Sequence, residues 1–309
     1  MQRPFKIEPQ RLALTIAYQN KKLIADQVLP RTPVGSEIFK YSVFAPEQFL
    51  TVPELEVSRR GVVNEVEFTG DETESSTKDY GLETSVPESD VEEAPEHYDP
   101  IDIAVESTTD LVLLGREKRV ADIVFDPANH GITRKLKKEE AFNNADAPMQ
   151  DYLMALLDEP LIRPNKMVLG RAQWTAIRKN KALVKARNAN SGDSGMISRQ
   201  ELADLLEIDE VIIGEAFLNI AVKGQKLVLK KIWSDHCAFL HIDQLATSQN
   251  NRITYGFTAQ RKQRSYREWF DENIGVDGGT RVRVYEKLRE LIVAKDCGIL
   301  LQDVLQPNG

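Results

Sequence analysis

DPIDIAVESTTDLVLLGREKRVADIVF, residues 99 to 125, is the longest uninterrupted helical pattern in the chain, and the other segments are ordered around it. Asp99 is placed to cap the first turn, Pro100 is preset for the first helical position, and Asp102, Glu106 and Asp110 favour the positive end of the helix dipole. Arg116, Lys118 and Arg119 fall towards the other end. Ile101, Ala104, Val105, Thr108, Leu111 and Val112 recur at three and four residues and predict one buried stripe. Pro127 ends the pattern by pushing Asp126 to extended geometry. At 1.5 Å per residue such a rod is roughly 40 Å long. An ordinary amphipathic core helix accounts for this stretch equally well, so its flanks decide the reading.

The flanks are unequal in charge. The 309 residues carry a net charge of −8 and 41% apolar residues, enough for one or two cores. Residues 1–31 hold six basic side chains against Glu8 and Asp26, residues 65–110 hold sixteen carboxylates against Lys78 alone, and residues 171–187 hold six basic residues and no acidic one. Solvated faces explain such polarity, and so does a chain whose copies meet acidic part to basic part. No apolar run is long enough to span a bilayer, and MQRPFKIEPQ lacks the apolar core of a secretion signal, which places the chain in a cytosol at synthesis. Cys237 and Cys297, both in apolar runs, are expected as buried, reduced thiols.

Before the long helix lie a mixed basic and apolar arm, with a helix possible over Arg11–Leu29, and then extended segments from Pro33 to Tyr98. Ile38–Phe44, Leu55–Arg60 and Val62–Phe68 read as strands, with a turn at Gly61. The run after them, to Tyr98, is acidic and broken by proline, and reads as lacking structure. These roughly 65 residues hold too little apolar surface for a core, and a lone hairpin is marginal in water. They need the body of the chain, or another copy, to lie on. After the helix come the polar ITRKLKKEEAFNN, a helix in APMQDYLMALLDEP, a strand at Lys166–Gly170, one basic helix over Arg171–Ala186, a loop at Asn188–Gly195 and a capping box at Ser198 and Glu201. Strands follow at Val211–Gly214, Lys226–Trp233 and Cys237–Ile242. The C-terminal part reads as strands with a linker helix around SYREWFDE.

Chemistry is sparse. Asp235, His236, Cys237, His241 and Asp243 fall within nine residues, but His236 and His241 are an odd number apart and point to opposite faces of a strand. A metal-dependent hydrolase on Asp235, His236 and His241 therefore stands as the rival reading. Gly275, Gly278 and Gly279 read as a turn, and no nucleophile elbow, Walker loop or HExxH occurs. Polyanion contact is conceivable on the arm through Arg3, Lys6 and Arg11 (also Lys21 and Lys22), and on the basic helix through Arg178, Lys179 and Lys181.

The order of parts resembles the major capsid proteins of tailed bacteriophages, the Hong Kong 97-type fold shared with encapsulin shells. LVLLGREKRVADIVFDPANH is similar to the end of that family's spine helix, KMVLGRAQWTAIRKNKALV followed by ISRQELADLLEIDEVIIGEAF to the opening of its axial domain, and LVLKKIWSDHCAFLHI to its later strand pair. The resemblance implies an α+β chain with an N-terminal arm (1–33), an extended hairpin loop with acidic connector (34–97), a peripheral domain on the spine helix (98–164), an axial domain (165–250), and C-terminal strands returning to both (251–309). It implies no enzyme and no cofactor, but a subunit of hexamers and pentamers enclosing double-stranded DNA, assembled in the bacterial cytoplasm, with portal, scaffold and decoration proteins as partners. The scaffold would be either separate or already cleaved from the arm. Phe39, Tyr41, Leu55, Val57, Arg59, Arg60, Val66 and Phe68 of the hairpin, and Arg3, Lys6, Arg11, Arg178, Lys179 and Lys181, would then touch neighbours. An encapsulin-like cargo shell is the nearest alternative.

Overall fold

The helix forms where its caps put it. The Asp99 carboxylate accepts from the backbone N–H groups of Ile101 and Asp102 at 2.8 and 3.2 Å, Pro100 takes the first helical position, and the helix runs Pro100–Val124. The structure is a computed structural model describing residues 23–42, 52, 55–57, 61–63, 72–95, 98–188, 194–222, 224–246 and 252–306. The chain enters through one helical turn, α1 (Ala25–Val28), and β1 (Arg31–Pro33). Next come β2 (Ile38–Ser42), β3 (Glu72–Ser76), β4 (Lys78–Pro87), α2 (Glu88–Glu92) and the long helix, α3. Beyond it lie β5 (Ile132–Lys135), α4 (Met149–Leu157), β6 (Lys166–Gly170), α5 (Arg171–Ile177), α6 (Lys181–Asn188), α7 (Arg199–Leu206) and β7 (Glu210–Gly214). A ribbon of β8 (Phe217–Asn219) and β9 (Leu229–Lys231) precedes β10 (Cys237–Leu240), β11 (Gly256–Asp271), β12 (Gly279–Ile292) and β13 (Gly298–Gln302).

Two sheets share α3. The four-stranded sheet, in the order β1-β11-β12-β4, packs Tyr266, Val282 and Val284 under Val105 and Val112 of the helix. The five-stranded sheet, β5-β13-β10-β6-β7, sets Val168, Ile212, Ala238 and Leu240 against Val120, Ala121 and Val124 of the last turns. Its other face is covered by α4, α5, α6 and α7, with Met167, Leu169 and Phe239 in that second core. Burial on both faces is why KMVLG is apolar throughout rather than alternating. The contact stripe of α3 moves around the helix to serve both sheets. Leu111, expected inside, is left 57% exposed, while Arg116 and Glu117 are buried.

Three further expectations are corrected. SYREWFDE is not a linker helix: it is the end of β11, where Tyr266 faces the helix and Arg267 and Trp269 pair with Arg283 and Arg281 of β12. Two register shifts, at Gln260–Lys262 and Lys262–Ser265, bend that strand. The acidic run before Tyr98 is not without structure: β4 lies along β12 over ten paired residues, because Glu83 is gripped by Arg281 and Arg283 and Asp79 by Lys287. The basic helix is two helices. The buried Asn180 breaks it, its Oδ1 accepting from the N–H groups of Ala182 and Leu183 at the start of α6 while its Nδ2 donates to Asn144 O and Ala147 O.

The Ser198–Glu201 capping box is present, and Cys237 and Cys297 are buried and free. Among the described residues no helix is long and apolar enough to cross a membrane.

Candidate assembly surface

Sequence spacing alone hides a fully buried carboxylate, Glu117. Glu117, fully buried on α3, accepts from Trp233 Nε1 at 2.6 Å and from the N–H groups of Ile24 and Ala25 at 2.8–3.0 Å. One carboxylate thus ties the incoming chain to the helix and to the segment before β10. Burial pushes its pKa above the usual glutamate range. Beside it Arg116, 1% exposed, donates to Asp26 Oδ1 at 2.6 Å and to Leu29 O and Thr258 Oγ1 at 3.0 Å. Arg31 bridges Asp26 (2.7 Å) and the buried Glu286 of β12 (2.9 Å), and Arg119 reaches Glu290 (3.1 Å) while lying over the Tyr80 ring. This network locks residues 24–33 to the body, and so fixes where the segment before them must emerge. One sequence signal bears on it: Arg116 falls on the Thr108–Val112–Val120 spacing, a charge on an apolar stripe, although its partners lie too far along the chain to be read.

Burial alone would lift the Asp26 carboxyl, but Arg116 and Arg31 outweigh it and hold it below the ordinary aspartate value. A depressed carboxylate contributes stability above its unfolded pKa, about 3.9, that is lost as pH falls through the lower folded value. Melting temperature should therefore drop as pH falls below about 4, and Asp26→Asn should be less stable at pH 7 with a flatter acid limb. An unchanged acid limb in that variant would remove Asp26 from the lock.

The hairpin residues divide. Phe39 is buried against Val34, Phe257 and Leu291 of its own chain, with Tyr41 edge-on to Phe257. The base of the hairpin, β2 with β3, is therefore held in cis. Further out the chain is bare: Leu55 is 76% exposed, Val62 93%, and Val52, Val57 and Val63 are also exposed. Residues 55–57 and 61–63 are not in strands, contrary to expectation, because no partner strand lies beside them among the described residues. Arg59, Arg60, Val66 and Phe68, like Arg3, Lys6 and Arg11, lie outside the described residues. A second apolar surface was not anticipated: Phe217, Ile220, Val222, Leu227, Val228 and Leu229 are exposed on the β8–β9 ribbon.

The basic face is largely paired. Lys181 meets Asp146 at 2.7 Å, Arg187 meets Glu201 at 2.6 Å and Arg171 meets Glu215 at 3.3 Å, while the Arg178 guanidinium faces the Trp174 ring and Lys179 is exposed. The metal reading fails on geometry. His236 and His241 flank β10 at opposite ends, roughly 16 Å apart along a strand, with His236 Nδ1 accepting from Asp303 N and His241 Nδ1 against Arg163 O. Among the described residues no group of three metal-ligating side chains converges.

The four- and five-stranded sheets packed on α3 form a fold shared with phage capsid proteins. It is similar to a phage-related protein from Bordetella bronchiseptica, with a TM-score of 0.74 at 18% identity over 99% of this chain and all of that one. It is also similar to the capsid of Cyanophage P-SCSP1u, with a TM-score of 0.60 at 11% identity over 93% of this chain and 89% of that one. The chain belongs to the phage major capsid proteins: that of Pseudomonas phage JBD67 is 42% identical over 305 residues, 98% of each chain. No family model matches.

Proposed function

We propose that this major capsid protein is a non-enzymatic subunit of a Hong Kong 97-type icosahedral shell, assembling as hexamers and pentamers around double-stranded DNA in the host cytoplasm and remaining in the virion. The four-stranded sheet with α3 serves as the peripheral domain, the five-stranded sheet as the axial domain, and residues 43–71 as the extended loop that reaches a neighbour. The observation that carries this reading is the exposed set Val52, Leu55, Val57, Val62 and Val63, borne on a hairpin whose base is fixed. Each such side chain gains about 1.5–3 kcal/mol when fully covered, and many modest contacts repeated round a closed shell add up.

Containment rather than tight wall binding suits a net-acidic chain whose basic helix face is already paired. Arg3, Lys6 and Arg11 remain the proposed non-specific phosphate contacts, and a portal, a scaffold and a decoration protein the proposed partners. Expressing the full chain and imaging the product tests the shell. Closed particles containing nucleic acid support it, whereas particles holding an enzyme instead would favour a cargo compartment.

A further inference from the structure

The β8–β9 ribbon is apolar on both faces and covered on neither. Phe217 and Leu229 share one face, Ile220 and Val228 the other, and all four are exposed. A two-stranded ribbon alone is marginal in water. Its root is fixed: Ile232 N–H donates to Ala216 O at 3.0 Å, and a Cβ at Gly214 would stand 2.2 Å from the Trp233 ring. The exposed part beyond that root needs cover from another molecule.

Charge decides what that cover is. Residues 216–233 hold four lysines and no carboxylate, and Glu215 beside them is engaged by Arg171 at 3.3 Å. Two ribbons laid together would set these lysines against one another, so a second ribbon does not fit. The complementary surface lies on α2 and the first half of α3. Tyr98, Ile103 and Leu111 are exposed there, with Leu114 half-buried beside them. Residues 88–106 hold eight carboxylates and no lysine or arginine, and Asp90, Glu92, Glu93 and Glu106 are exposed. From Ile103 to Leu111 is about 12 Å of helix, and the three residues of β8 span about 10 Å, so the two apolar stripes are of similar length. Both surfaces are exposed in one molecule, and neither covers the other in cis.

We infer that the β8–β9 ribbon of one copy docks on the α2–α3 face of the next, apolar stripe on apolar stripe, with its lysines towards the carboxylates around Ile103 and Leu111. Ribbon and helix face are different patches, so each copy gives one and receives one, the heterologous arrangement that closes a ring. The ring rests on the shell reading, whereas the docking rests on the two surfaces alone.

Disulfide formation between two differently tagged full-length copies tests the docking. Cys237 and Cys297 are buried, so thiols placed on the surface react alone. One copy carries Ile103→Cys or Leu111→Cys, the other Ile220→Cys or Leu229→Cys, and the two are mixed under mild oxidation. At least one of the four mixtures should form the mixed disulfide roughly tenfold faster than Leu161→Cys, exposed in the loop before β6, forms it with the same ribbon variants. Rates no faster than this control in all four mixtures would overturn the inference. Adding Lys226→Glu and Lys230→Glu to the ribbon copy of the fastest pair reverses two exposed charges. The melting temperature should hold while the rate falls to that of the control, and Glu92→Lys with Glu93→Lys on the other copy should restore it. An unchanged rate after the lysine reversal, or no recovery after the second, would also overturn it. Absence of rings and shells from the unmodified chain would count against the shell reading instead, and the disulfide rates still decide the docking.

Discussion

Replacing residues 42–72 by Asn-Gly should yield a folded, soluble protein that forms no closed particles. Tyr41 and Thr73 are directly paired across β2 and β3, so a two-residue turn can close the hairpin in the same register. None of the described residues between them belongs to a buried cluster, and Leu55, Val57, Val62 and Val63 stand in solvent, so the described part of the loop contributes nothing to the core. What is removed is the exposed apolar surface that, in the proposed shell, a neighbour would cover. The melting temperature should fall by no more than a few degrees, since surface changes cost within about 0.5 kcal/mol each, while micrographs show only small oligomers. A wider cut, from Glu37 to Ser85, would not isolate the loop: it also removes most of β4, with the ion pairs of Glu83 and Asp79, and Phe39 from its cluster. Normal shells from the short deletion would show that the loop is dispensable.

Glu117→Ala should be the most damaging single substitution. It strands three N–H donors, from Ile24, Ala25 and Trp233, and leaves Arg116 buried beside a void. Breaking a buried charged network of this kind costs about 3–5 kcal/mol, a drop in melting temperature on the order of 10 °C. Glu117→Gln keeps one acceptor but turns an amide NH2 towards donors, so its loss should be smaller yet clear. The pH signature also has a sign. A carboxyl raised by burial gives its full stabilisation below the unfolded pKa and loses it as pH rises through the folded one. Glu117→Gln should therefore show its largest deficit in mild acid and a smaller one as pH rises, the opposite of Asp26→Asn. Thermal melts across pH check both, and equal deficits at all pH values would remove Glu117 from the lock.

What could be read from the sequence was local. Asp99, Pro100 and the Ser198–Glu201 box act within four residues, and each is found as the pattern requires. KMVLG and VIIG needed only their own apolar runs. What could not be read depended on partners far along the chain. The acidic β4 becomes a strand because RVRVYEK of β12 lies beside it some 200 residues later, turning a repelling run into a matched one. Arg116 and Glu117 looked like the polar end of a helix until Asp26, Leu29 and Trp233 came to meet them. Asn180 looked like one more polar position in a helix, and is the residue that ends it by holding the 144–147 turn. Of the assembly surface, the exposed Leu55 and Val57 were legible as strand-patterned residues without a core. The β8–β9 ribbon was not, because KLVL reads equally well as an inner strand.

Electron microscopy of the purified full chain decides between shell and monomer. Closed shells built from hexamers and pentamers are expected, with density for residues 43–71 lying on an adjacent subunit. A stable monomer, with Leu55, Val57, Val62 and Val63 folded against its own body, would contradict the shell reading.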